Sequence, residues 1–147
     1  MRIYLDFDGT VVEHQYPKMG RCNFGSIEVI KKLQDSGHEI ILNTYRSETN
    51  NGTLESALKL LNEQYWMILR DRNSRENFEM KPITKYCKGK IHPNIFDWET
   101  IKNTNEMYID DQALNIPLKK AAMIDGMMVD WDELDKQFEA NGIYKKI

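Results

Sequence analysis

The chain has 147 residues, 41% hydrophobic and 29% charged, with a net charge of −3. That length suits a single domain over residues 1–147 with its own core, and the slight negative charge gives no global electrostatic case for nucleic acid. No apolar run approaches the ~20 residues of a membrane span, Asp6 and Asp8 interrupt any signal-peptide pattern, and Cys22 and Cys87 are too few for a disulfide framework, so a reduced, cytoplasmic setting is expected.

Arg2–Phe7 reads as a short buried strand running into the turn Asp8-Gly9-Thr10. Asn23–Ser36 carries Ile27, Ile30 and Leu33 at helical spacing, with Gly37 as its stop. His38–Thr44 reads as a second strand, apolar in the middle and polar at its end. Thr53–Gln64, with Leu54, Ala57, Leu58 and Leu61, reads as an amphipathic helix, and Tyr65–Leu69 as a third strand. Residues 70–100 are charged, broken by Pro82, Gly89 and Pro93, and show no sustained period, which predicts an irregular segment. Glu106–Ile109 is a fourth strand ending in Asp110-Asp111, and Asp132–Ala140 a last helix closed by Asn141-Gly142. Ala121–Ile124 and Met127–Val129 read as edge strands.

Strands alternating with helices predict an α/β fold with a mostly parallel sheet, and such sheets bind ligands at the carboxyl ends of their strands. Three strand ends carry polar groups: Asp6 and Asp8, Thr44 with Arg46, and Asp110 with Asp111. Four carboxylates on one rim repel one another and are costly to desolvate unless a cation pairs with them. Magnesium suits such oxygen ligands and leaves room for water and a substrate phosphate. One carboxylate can then attack phosphorus, the second aspartate of the pair can move the leaving group's proton, and Thr44 can bond phosphate oxygens. A lysine is needed to neutralise the transferring group.

Rival motifs fail. Asp6–Asp8 lacks the third acidic position and distal glutamate of a calcium loop. Gly20–Ser26 has the glycine spacing of a P-loop but no lysine before the serine, and no Gly-x-Gly-x-x-Gly or nucleophile elbow is present.

Asp6-Phe7-Asp8-Gly9-Thr10 matches in full the first motif of the haloacid dehalogenase-like (HAD) superfamily of phosphotransferases, and the chain resembles a small capless subgroup of its bacterial and phage hydrolases. Ile40–Thr44 with Arg46 is similar to the second motif in its Thr-x-Arg form, and Met107–Asp111 to the fourth. The resemblance implies a Rossmann-like three-layer sandwich with no large cap domain. It implies Asp6 as nucleophile and Asp8 as general acid/base. Asp6, Asp8 (through its backbone carbonyl), Asp110 and Asp111 would hold Mg2+, and Thr44, Arg46 and a lysine would hold phosphate. Lys102, eight residues before Asp110, is the favoured lysine, although Asn103 stands where small members have proline; Lys90, twenty before, has the spacing of larger members. Gln112 replaces the basic residue many small members carry. Between the first strand and first helix, Glu13, His14 and Tyr16 are candidates for substrate contact.

The leading expectation is a magnesium-dependent phosphatase acting on a phosphorylated small molecule, away from membranes. One alternative is a nucleotide or polynucleotide-end phosphatase using the lysines at 81, 85, 88 and 90; another is a magnesium- or phosphate-binding module without catalysis. Substrate identity and oligomeric state are not legible in the sequence.

Overall fold

The computed structural model describes residues 1–71, 73 and 77–145; part of the 70–100 segment, residues 72 and 74–76, therefore lies outside the described residues. Three short parallel strands form the central sheet: β1 (Arg2–Leu5) lies between β2 (Glu39–Leu42) and β3 (Glu106–Ile109). Alternation decides which face is core. Ile3 and Leu5 are fully buried, paired in register with Ile40 and Leu42 on one side and Met107 and Ile109 on the other. On the opposite face Tyr4 stacks on Tyr108, ring centroids 4.8 Å apart.

Helices α1 (Ser26–Asp35), α2 (Thr53–Asn62), α3 (Trp98–Thr104) and α4 (Trp131–Ala140) surround the sheet. Their apolar residues, including Ile27, Ile30, Leu33, Leu61, Leu134 and Phe138, join one core cluster with the strands. The last two strands, β4 (Leu118–Lys120) and β5 (Met127–Val129), pair antiparallel as a separate hairpin. The fold is α/β with a small parallel sheet, as predicted, and among the described residues no helix is long and apolar enough to cross a membrane.

Three element predictions need correction. Tyr65–Leu69 is not a strand: Tyr65–Met67 forms a single 3-10 turn, with Met67 and Ile68 donating backbone bonds to Gln64 and Tyr65. The place beside β2 is taken instead by the irregular segment, where Leu42 N–H donates to Lys85 and Cys87 N–H to Leu42. Second, residues 121–124 lie in the turn of the hairpin, while 118–120 form its first strand. Third, α3 was hidden at the end of the irregular segment. Its start is marked by Asp97, whose Oδ2 accepts from the Thr100 N–H at 3.1 Å and its hydroxyl at 2.7 Å, an N-cap the sequence displays.

Candidate active site

β1 stops at Leu5 because the chain turns there. Asp6 N–H still bonds Ile109, but the carbonyl of Phe7 accepts from the amides of Thr10, Val11 and Val12. Gly9 permits that turn, at φ +83°, and a Cβ in its place would collide with the Asp111 carboxylate. The turn is then held from several sides. Thr10 O accepts from Trp131 Nε1 (2.8 Å) and Asn23 Nδ2 (2.9 Å), and Gly9 O from Val129 N–H (3.0 Å). The motif is thus rigid backbone at the carboxyl rim of the sheet, the placement predicted for it.

Asp6, Asp110 and Asp111 each offer one oxygen, all within 4.8 Å of one another. Asp6 and Asp110 are nearly inaccessible to solvent. Thr10 Oγ1 donates to Asp6 Oδ2 (3.1 Å) and Gln112 N–H to Asp110 Oδ1 (2.9 Å), whereas Asp110 Oδ2 is buried without a hydrogen bond. Burial, reinforced by the neighbouring carboxylates, pushes the Asp6 carboxyl well above its ordinary range; burial likewise raises Asp110.

The cation facing this cluster is Lys90, its Nζ 3.5 Å from Asp110 Oδ2 and 3.9 Å from Asp6 Oδ1. Burial alone would lower its ammonium group, but Asp6 and Asp110 outweigh that and hold it above its usual value. Lys90 comes from the irregular segment, and side chains pin it there. Asn43 Nδ2 donates to Ile91 O and Asn43 Oδ1 accepts from Ile91 N–H, both at 2.9 Å. Glu48 Oε1 accepts from Lys90 N–H, also at 2.9 Å. Asn43 and Glu48 were not picked out from sequence; Asn43's polarity at the end of an apolar strand was the available signal.

Lys102 does not reach the cluster. It sits exposed in the last turn of α3, which leads into the first residue of β3, so it lies at the opposite end of the sheet from Asp110. The eight-residue spacing does not bring Lys102 to the carboxylates because α3 and the turn at Asn105 occupy that interval.

Arg46 stands differently from the expectation, and it does so through Asp8. The Arg46 guanidinium grips both oxygens of Asp8, Nε to Oδ2 at 2.8 Å and Nη2 to Oδ1 at 2.7 Å, and donates further to the carbonyls of Lys18 and Thr53. At 1% exposure Arg46 is spent on this pair and is absent from the cavity wall, so it is not placed to bind phosphate. The Asp8 carboxylate in turn is not part of the three-oxygen cluster, though it lines the same cavity. Arg46→Met leaves a buried carboxylate without its partner and is expected to cost about 3–5 kcal/mol of unfolding free energy in urea titrations. The double variant Arg46→Met/Asp8→Asn should recover part of that loss.

The cavity at the rim is about 580 Å3, and Asp6, Asp8, Thr44, Lys90 and Asp111 line it. His14, Tyr16, Tyr45, Glu48, His92 and Gln112 complete it. His14 and Tyr16 are therefore where substrate contact was expected, and Tyr45 and His92 are additions. Glu13 is not: it is buried and its Oε1 accepts from the amides of Ala122 (2.7 Å) and Met123 (3.2 Å), pinning the hairpin turn. Nor do the lysines form one strip. Lys81 bonds Gln34 and Lys85 pairs with Glu39 at the start of β2, leaving Lys90 alone of the four on the cavity wall.

No protein-family model matches the chain, and no curated protein does. Among solved structures, the chain is similar to one described as a conserved protein from Bacteroides thetaiotaomicron, 22% identical, with a TM-score of 0.53, covering 95% of this chain and 90% of that one. At that identity the likeness concerns the fold.

Proposed function

We propose that the chain is a magnesium-dependent phosphatase that hydrolyses a phosphate monoester through Asp6, and that its α/β fold is the Rossmann-like sandwich of the HAD superfamily without a cap. The observation that carries this reading is the three-carboxylate cluster at the carboxyl rim, with one buried oxygen that accepts no hydrogen bond and a single lysine ammonium group 3.5 Å from it. The donor set fits magnesium: hard oxygens only, few enough to leave positions for water and phosphate.

Asp6, Asp110 and Asp111 would hold the ion, which supplies charge neutralisation for an anion attacking an anion. Asp6 then uses a carboxylate oxygen to attack phosphorus as the ester oxygen departs, forming an aspartyl-phosphate. Asp8 lines the same cavity and is the group that moves the proton: because both its oxygens accept from Arg46 here, it must first take a proton from water and loosen that pair, then deliver it to the departing oxygen and take one back from the water that frees phosphate and regenerates Asp6. Thr44 and Lys90 orient and neutralise the phosphoryl group.

The direct test is release of inorganic phosphate from an aryl phosphate, expected with Mg2+, lost with a chelator and restored by fresh Mg2+. Failure of purified, folded protein to release phosphate under any divalent cation would leave only the non-catalytic binding reading. Stability gives a second readout. The Asp6 and Asp110 carboxyls are raised in the folded state, so their contribution is fully present below the unfolded value, about pH 4, and is lost as pH rises through the raised values. Mg2+ competes with those protons, so the increase in unfolding free energy that it gives is expected to be larger at about pH 8 than at about pH 5. A gain independent of pH would argue that the ion binds elsewhere.

A further inference from the structure

Besides the groups assigned above to metal and phosphate, the cavity is lined by His14, Tyr16, Tyr45, Glu48, His92 and Gln112, its outer wall. Its volume of about 580 Å3 lies within the ~300–1,000 Å3 of ordinary small-molecule sites, so its outer wall must meet the alcohol portion of the substrate. That wall is largely aromatic and polar, with Glu48 as its carboxylate. Tyr45 is 51% exposed, and Tyr16 meets it edge-on, with ring centroids 5.4 Å apart at 82°. Tyr16 is itself fixed, its hydroxyl accepting from Asn51 Nδ2 at 3.1 Å and its ring lying 5.3 Å from the Arg46 guanidinium carbon. An open ring braced by a fixed one is a preorganised surface for stacking. His14, His92 and the Gln112 amide stand around it as neighbours able to bond hydroxyls or ring heteroatoms.

Charge narrows the choice further. Among the described residues lining the cavity, Lys90 is the only lysine or arginine, and it already faces Asp6 and Asp110. Arg46 is closed on Asp8, and with Asp111 given to the metal, Glu48 is left to add negative charge to the wall. A second phosphate or carboxylate on the substrate would find no free lysine or arginine and the Glu48 carboxylate opposing it.

Resting on the phosphatase reading above, we infer that the substrate is a monophosphate of a ring-bearing and otherwise uncharged alcohol, a sugar or a nucleoside, whose ring lies on Tyr45. The test compares kcat/KM for a hexose monophosphate, a nucleoside 5′-monophosphate, a hexose bisphosphate and glycerol 3-phosphate, which has no ring. At least one ring-bearing monophosphate should exceed both the bisphosphate and glycerol 3-phosphate on the order of tenfold or more. Whichever of the two is favoured identifies the ring as sugar or base. Tyr45→Ala should erase most of that advantage through KM, and Tyr45→Phe, which keeps the ring, should preserve it. Equal or better turnover of glycerol 3-phosphate or the bisphosphate overturns the inference and leaves the phosphatase reading standing, as does an advantage that survives Tyr45→Ala. Turnover of none of the four, with an aryl phosphate still hydrolysed, overturns the inference alone; loss of aryl phosphate hydrolysis as well removes the phosphatase reading, and the inference with it.

Discussion

Asp6→Asn is expected to abolish phosphate release, by at least ~10⁴-fold in kcat, while making the metal-free protein more stable. The loss is chemical: an amide has no anionic oxygen with which to attack phosphorus. The gain is electrostatic. Asp6 is buried beside Asp110 and Asp111, and its carboxyl is pushed upward by burial first and by the Asp110 charge next. At neutral pH the folded protein must hold that charge or a proton in its place, and asparagine removes the requirement. Its carbonyl can accept the Thr10 hydroxyl bond now made by Asp6 Oδ2, and its amide brings a donor toward a cluster in which Asp110 Oδ2, though it faces the Lys90 ammonium group, accepts no hydrogen bond. A rise of about 0.5–2 kcal/mol is the scale on which such functional compromises are relieved. Measured by urea titration in chelator, a stability gain alongside lost turnover would mark Asp6 as a residue kept for chemistry. Retained turnover would remove Asp6 from the nucleophile's role.

The same electrostatic tension explains what could be read in the sequence. Asp6-Phe7-Asp8-Gly9-Thr10 was legible because each position answers a local demand: Phe7 is fully buried in the core, its acidic neighbours line the cavity, and Gly9 takes the positive φ. Asp110 and Asp111 were legible for the same reason, as polar groups ending an apolar strand. Lys90 was harder to choose because its position depends on tertiary bonds, from Asn43 and Glu48, to a segment with no period of its own. Arg46 takes another place because the sequence shows a cation after the second strand but not that the carboxylate after the neighbouring strand, with the carbonyls of Lys18 and Thr53, would claim it. Tyr65–Leu69 failed as a strand for a related reason. A short apolar run states that residues will be buried, as Ile68 and Leu69 are, and leaves open whether the backbone bonds a sheet or closes a turn.

Lys90→Ala and Lys102→Ala should therefore part company. Removing Lys90 leaves Asp6 and Asp110 without the ammonium group that lies within 4 Å of both, and strips the transferring phosphoryl group of a positive charge in a water-poor site. Loss of one such stabilising group typically lowers kcat by roughly 10²–10³-fold. Lys102 is solvent-exposed at the other end of the sheet, so Lys102→Ala should leave kcat and KM within about twofold of the parent, the ordinary reach of a surface substitution. Asn43 separates position from presence. Asn43→Ala breaks both bonds to Ile91, freeing the backbone that carries Lys90, and should lower kcat by roughly tenfold, about the worth of one ordinary hydrogen bond. If that loss acts through the ammonium group, it vanishes in the Lys90→Ala background, and the double variant is no slower than Lys90→Ala alone. Additive losses would mean that Asn43 serves the fold or Thr44 rather than the lysine. Faster hydrogen exchange at the Ile91 amide, with the amides of β1 and β3 unchanged, should accompany the kinetic effect and can be measured without any substrate.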